Sequence, residues 1–395
     1  MGEYFDFFNI NQYDNYIINI SNKDYKKIQC CISKLKEKYN NELLSLYNLE
    51  KQNLKQYNFY NQIEFINKHK KILLEIINDV LADYNNELRN LNVVFLSGSF
   101  ARYTNKMSSD IDLHFFYKDD NYNYIYEEIV CYIISRIINK SRDSIDPTFI
   151  FNIQNENKAL ITSKMDKSKL TLILRTKNNE IKYSYKYGKK RRFYLQYINT
   201  RDINKLFNYL NAEIIKCNEE WCHCFEVIKG KDEFNKLYDK LYNKELNIIN
   251  NDYIIKKINT LKETIQIDKK CIKNNFISEY KNYYQSQIYK IIYEYVSIIR
   301  FILIKEKNVV KYLNLIDIYN LSQKVKEINK DIFIEIYKYM WCVEKLSLYC
   351  HENNINYGLH NNTDINYSTK ELDKNLKVLK LNILEDLERL SRLYE

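Results

Sequence analysis

The chain has 395 residues, 45% hydrophobic and 28% charged, with a formal net charge of +10. That length accommodates two or three domains with a sizeable core, and the basic excess suits an anionic partner (a nucleotide, RNA or an acidic protein) without choosing among them. With only 5 glycines and 1 proline there are too few turn residues for a β-sandwich or barrel, so long helices are expected.

Residues 1–86 read as an N-terminal helical arm. Ile28, Ile32 and Leu35 recur at helical spacing, as do Ile72, Leu73, Ile76, Ile77 and Val80. Residues 87–200 read as a small mixed β-sheet core. The run NVVFLS at 92–97 ends at Gly98, as a buried strand entering a tight turn does. A polar loop at 103–109 leads to a second strand, Ile111–Tyr117, and then to a helix, Tyr124–Ile138. After Pro147 come strand-like runs at 148–153, 159–163 and 169–176, and a hairpin over 181–198 with its turn at Gly188.

Residues 201–395 read as a C-terminal helical bundle. Gly230 is placed as a helix C-cap between helices at 203–228 and 231–243. Long helices are expected at 253–305, 316–350 and 369–394, with a polar loop at 351–368. The fold class is therefore α+β.

The 38 tyrosines and the Asn, Ile and Lys runs read as compositional drift, so the basic excess carries little functional weight and each surviving glycine carries more. The 9 cysteines are odd in number and scattered, and the first residues, MGEYFDFFNINQYD, do not resemble a secretory signal. A reduced, cytoplasmic compartment is expected. The longest apolar candidate, Ile288–Ile304, is interrupted by Glu294 and Arg300, so no membrane partner is expected.

The segment 93–117 carries the chemistry. A strand that delivers Gly98-Ser99 to a helix start offers backbone N–H groups to phosphate oxygens. Gly98 permits close approach, Ser99 adds a hydroxyl, and Arg102 and Lys106 can neutralise phosphate charge. Ser109 then precedes Asp110-Ile111-Asp112. Residues i and i+2 of a strand share a face, so the two carboxylates form a hard-oxygen site suited to Mg2+. Two ions about 3.5–4 Å apart would align a hydroxyl, an α-phosphate and a pyrophosphate leaving group. His114 shares that face but lies further along, where packing beside the site is the expected role.

The string LSGSFARYTNKMSSDIDLHFF resembles the signature of the DNA polymerase beta-like nucleotidyltransferase superfamily: an apolar strand, Gly-Ser, a loop of a dozen residues and Asp-x-Asp on the next strand. The resemblance implies a nucleotidyltransferase core that binds an NTP through Gly98, Ser99, Arg102, Lys106 and Ser109. It also implies magnesium on Asp110, Asp112 and a third carboxylate from a neighbouring strand. Asp146, before Pro147, is the candidate for that third place, and it equally reads as the polar residue of an Asp-Pro turn. Glu180 and Asp166 are weaker alternatives.

A fainter similarity to PII-protein uridylyltransferases covers Tyr197–Leu241, with Glu226, Gly230 and Phe234 at matching places. The chain departs from them in having Gly-Ser for a glycine pair and in lacking an HD-type phosphohydrolase string. It is also too short for their regulatory domains. The acceptor favoured by this similarity is a protein side chain. A small molecule, an RNA 3′ end and cyclic-oligonucleotide synthesis fit the same motif, and a non-catalytic nucleotide-binding regulator is the alternative from another class. Oligomeric state is not legible.

Two further signals carry less. Cys217, Cys222, His223 and Cys224 invite a zinc reading, but Cys222, His223 and Cys224 are consecutive on an expected helix and cannot all converge on one ion. The basic run Lys189–Arg192, set among Tyr185, Tyr187, Phe193 and Tyr194, could grip phosphates and stack bases, but a solvated turn explains it as well.

Overall fold

The computed structural model describes residues 16–89, 91–96, 98–106, 109, 111–117, 124–138, 149–154, 161–163, 170–175, 181–186, 192–194, 224–236, 249–270, 272, 276–307, 314–322, 328–352 and 369–395. The fold is α+β and divides into two compact units. Unit 1 comprises Met1–Gln52, Glu64–Asn211 and Phe225–Tyr238, and unit 2 comprises Asn53–Ile63, Ala212–Cys224 and Asp239–Glu395. No helix among the described residues is long and apolar enough to cross a membrane.

Unit 1 holds the sheets. A mixed six-stranded sheet has the order β8-β7-β6-β3-β2-β9, formed by β2 (Leu91–Leu96), β3 (Ile111–Tyr117), β6 (Leu170–Arg175), β7 (Ile181–Lys186), β8 (Arg192–Tyr194) and β9 (Glu226–Lys229). β3 runs antiparallel to β2 and parallel to β6. A second sheet has the order β1-β4-β5, from β1 (Tyr16–Ser21), β4 (Phe149–Gln154) and β5 (Ile161–Ser163). The β1 strand was not anticipated: its run YIINIS is short, and its parallel partner β4 lies far along the chain.

Among the described residues this unit holds α1 (Asn22–Asn53) up to Gln52, α2 (Phe59–Asp83) from Glu64 onward, the short α3 (Gly98–Arg102) and α4 (Tyr124–Ile138). On α1 the residues Ile28, Ile32, Leu35, Tyr39, Leu43 and Leu46 are buried, one stripe at helical spacing. α1 is tied to α2 by Lys38–Asp79 at 2.6 Å and Lys34–Asp83 at 3.2 Å, and Tyr39 donates to Asp79 at 2.8 Å. The expected 86/87 boundary between arm and core therefore falls inside unit 1. The reason is packing: the apolar face of α2 supplies Ile72, Leu73, Ile76, Ile77 and Val80 to the buried core.

One expected element changes type. Residues 226–228, read as the end of a helix, belong to strand β9, which pairs antiparallel with β2 through Leu96↔Glu226 and Phe95↔Val227. Gly230 consequently starts the helical residues 231–236 and does not end a helix, and Phe234 N–H donates to its carbonyl at 2.9 Å. Helix and strand are hard to separate in so short an apolar run, and pairing with the edge of β2 decided it.

Unit 2 is helical: α5 (Asn251–Ile267), α6 (Ile277–Gln287), a π-helical turn Ile288–Tyr293, α7 (Glu294–Lys307), α8 (Leu315–Ser322), α9 (Asp331–Glu352) and α10 (Lys370–Tyr394). The single helix expected at 253–305 is broken at Asp268, whose ψ of 111° is extended. Its carboxylate is engaged by Lys380 at 2.7 Å, Tyr283 at 3.1 Å and Gln287 at 3.3 Å. The helix expected at 316–350 is likewise two, because Asn329 Oδ1 accepts from Asp331 N–H at 3.1 Å and starts a new one.

Candidate functional site

β2 runs almost directly into α3. Leu96 is fully buried, and Gly98, with φ 65°, turns the chain into the helix. That conformation is open to glycine and costly for other residues. Phe100 and Ala101 are buried at 1% and 3% exposure and anchor one side of α3. Arg102 is buried at its end. Thr104 N–H donates to the Ser99 carbonyl at 2.9 Å, closing the helix over Tyr103, which has φ 62°.

The hydroxyls of Ser99 and Thr104 are buried without a hydrogen-bond partner among the described residues. Buried polar groups are seldom left unsatisfied, and each such group calls for an explanation. Lys106 and Ser109 close the next turn reciprocally: Lys106 N–H donates to Ser109 Oγ at 3.0 Å, and Ser109 N–H to the Lys106 carbonyl at 2.9 Å.

That turn leads into β3, the strand paired with β2 on one side and β6 on the other. Asp112 is its second residue, in register with Thr171 of β6. Its neighbours Ile111 and Leu113 are buried at 3% and 0% exposure. Asp110 and Asp146 lie outside the described residues, as do Asp166 and Glu180. The segment after Asp146 was expected to form the strand beside Asp112. That strand is β6, whereas β4 pairs with β1 and β5 in the other sheet. Neither β2 (LNVVFL) nor β6 (LTLILR) contains a carboxylate.

Residues of α2 that the sequence did not mark hold this segment. His69 packs on Phe100 with ring centroids 4.9 Å apart, and its Nδ1 lies 3.2 Å from Asn105 Nδ2. Lys70, 4% exposed, pairs with Glu226 at 2.5 Å and lies 3.9 Å from the ring centroid of Tyr103. On β2, Phe95 packs against Phe225 and Phe234 at 5.6 and 4.9 Å. No periodicity or motif points to these contacts, since their partners are distant along the chain.

Of the residues weighed for zinc, Cys217, Cys222 and His223 lie outside the described residues, and Cys224 is buried. In the basic run, 189–191 are likewise outside, and Arg192 begins β8. Among the described residues no three His, Cys, Asp or Glu side chains gather as a metal site; the side chains of Asp110, Asp112 and Asp146 are not among those described. Neither a family model nor a curated protein matches the chain.

Proposed function

We propose that the chain is a magnesium-dependent nucleotidyltransferase that moves NMP from an NTP to a hydroxyl acceptor, a protein side chain in the favoured form, and releases pyrophosphate. The observation that carries this reading is the β2–Gly98–α3–β3 arrangement. A glycine at positive φ ends one strand, and Ser99 follows it with a buried, unpartnered hydroxyl. The next strand in the sheet begins at Ile111, between the two aspartates of the Asp-x-Asp. Phosphate oxygens would satisfy the Ser99 and Thr104 hydroxyls, and Arg102 and Lys106 supply the compensating charge.

Asp110 and Asp112 offer the hard carboxylate oxygens that magnesium prefers, and the bound ion would supply charge neutralisation at the α-phosphate. In the transfer the acceptor oxygen forms a bond to the α-phosphorus. The bond to the bridging oxygen breaks, pyrophosphate leaves, and the hydroxyl proton passes to solvent. Incubating the chain with magnesium, a cell extract as the source of hydroxyl acceptors and each α-labelled NTP in turn tests this. The destination of the label, on protein, RNA, a small molecule or a cyclic oligonucleotide, names the acceptor.

One observation favours a second reading, a nucleotide-binding regulator without catalysis: the strands flanking β3 carry no third carboxylate. Tight NTP binding with no pyrophosphate released above background in an extract that supplies hydroxyl acceptors would select it.

A further inference from the structure

We propose that Lys70 is a positioning residue for the phosphate-binding segment and acts through Tyr103. For its ligand the proposal rests on the nucleotidyltransferase reading. Lys70 is 4% exposed. Its ammonium lies 2.5 Å from the Glu226 carboxylate and 3.9 Å from the centroid of the Tyr103 ring. A buried ammonium whose charge is already paired is poorly placed to contact a phosphate itself. What it touches is informative. Glu226 stands opposite Leu96 in the β2–β9 register, two residues before Gly98. Tyr103 follows Arg102 at the other end of α3. Lys70 thus bridges the two ends of the segment that carries Gly98, Ser99 and Arg102.

Tyr103 needs such help. Its φ of 62° is uncommon for a bulky side chain and persists only where the surroundings over-determine it. The cation over its ring is one such determinant. The neighbouring residues of α2 act in the same direction. His69 packs on Phe100, and Asn105 is held by His69 Nδ1 at 3.2 Å and the Ile66 carbonyl at 3.5 Å. Residues 66, 69 and 70 lie at the i, i+3, i+4 spacing of one helix face, and that face sets the conformation of 100–105.

The test uses the full chain. Lys70→Met keeps the packing of the stem, and the Glu226 side chain left behind is 36% exposed and can be hydrated, so the variant should fold. Calorimetric titration with MgATP, MgGTP, MgCTP and MgUTP should show about tenfold weaker binding in Lys70→Met than in the wild type. In a Tyr103→Gly background the same Lys70→Met change should cost little, because glycine adopts the positive φ unaided. Equal losses in the two backgrounds, or no loss with Tyr103 present, would overturn the proposal. Amide hydrogen exchange at 99–106 in the nucleotide-free chain gives an independent reading. Faster exchange there in Lys70→Met supports the positioning role, and unchanged exchange overturns it. If the wild type binds none of the four nucleotides, the nucleotidyltransferase reading fails, and the exchange result alone decides the role of Lys70.

Discussion

The Asn92 carbonyl oxygen lies 2.1 Å from where a Cβ on Gly230 would sit, and Gly230 itself has φ +73°. Backbone therefore meets backbone where β9 leaves β2, and no side-chain rearrangement can make room. Gly230→Ala should destabilise the chain by about 2 kcal/mol or more, the left-handed penalty plus displacement of β9. Denaturant unfolding would measure it; a loss below about 0.5 kcal/mol would show that the two strands separate freely.

The Asp268–Lys380 pair in the helical unit predicts a pH dependence. Burial pushes the Asp268 carboxyl up, but the hydrogen bond and charge of Lys380, with Gln287 and Tyr283, outweigh it and hold the carboxyl below its ordinary range. A depressed folded value stabilises above the unfolded pKa of about 3.9 and loses that stabilisation as pH falls through the folded value. Lys380→Met should cost about 3 kcal/mol at pH 7, since it leaves a mostly buried carboxylate without its cation. The gap between wild type and variant should narrow below about pH 4. A gap that stayed constant down to pH 2 would contradict the assignment.

Parts of this fold were legible from local signals and parts were not. β3 and α4 occupy the residues expected of them, Ile111–Tyr117 and Tyr124–Ile138, because a short run rich in apolar and aromatic residues and a helical apolar stripe are local signals. β1 and β9 escaped because a short strand is defined by its partner, and those partners are distant in sequence. The breaks at Asp268 and Asn329 come from side-chain hydrogen bonds that hydrophobic periodicity does not register. At the candidate site, Gly98 and Ser99 were legible from the strand-to-glycine junction. Lys70 was not, because one lysine in a chain with 61 Lys and Arg carries no mark until its partners are brought to it.

The buried hydroxyls of Ser99 and Thr104 predict a trade-off between stability and binding. Without ligand each is an unsatisfied polar group, which costs about 1–3 kcal/mol. Thr104→Val and Ser99→Ala should leave the nucleotide-free chain as stable as the wild type or up to about 1 kcal/mol more stable. Both should weaken binding of a magnesium–NTP complex. Thermal unfolding with and without nucleotide reads both effects. A destabilised apo chain would assign the hydroxyls to the fold.

Asp110 and Asp112 carry the proposed chemistry, and replacing a carboxylate by its amide removes charge without changing volume. Pyrophosphate release from each of the four NTPs, above the release by extract alone, should be measured with magnesium and a cell extract that supplies hydroxyl acceptors, in wild type, Asp110→Asn and Asp112→Asn, each checked for an unchanged unfolding midpoint. The predicted result is release with at least one NTP by the wild type and a loss of about 100-fold or more in either variant. Release that survives both substitutions would contradict the metal-dependent reaction.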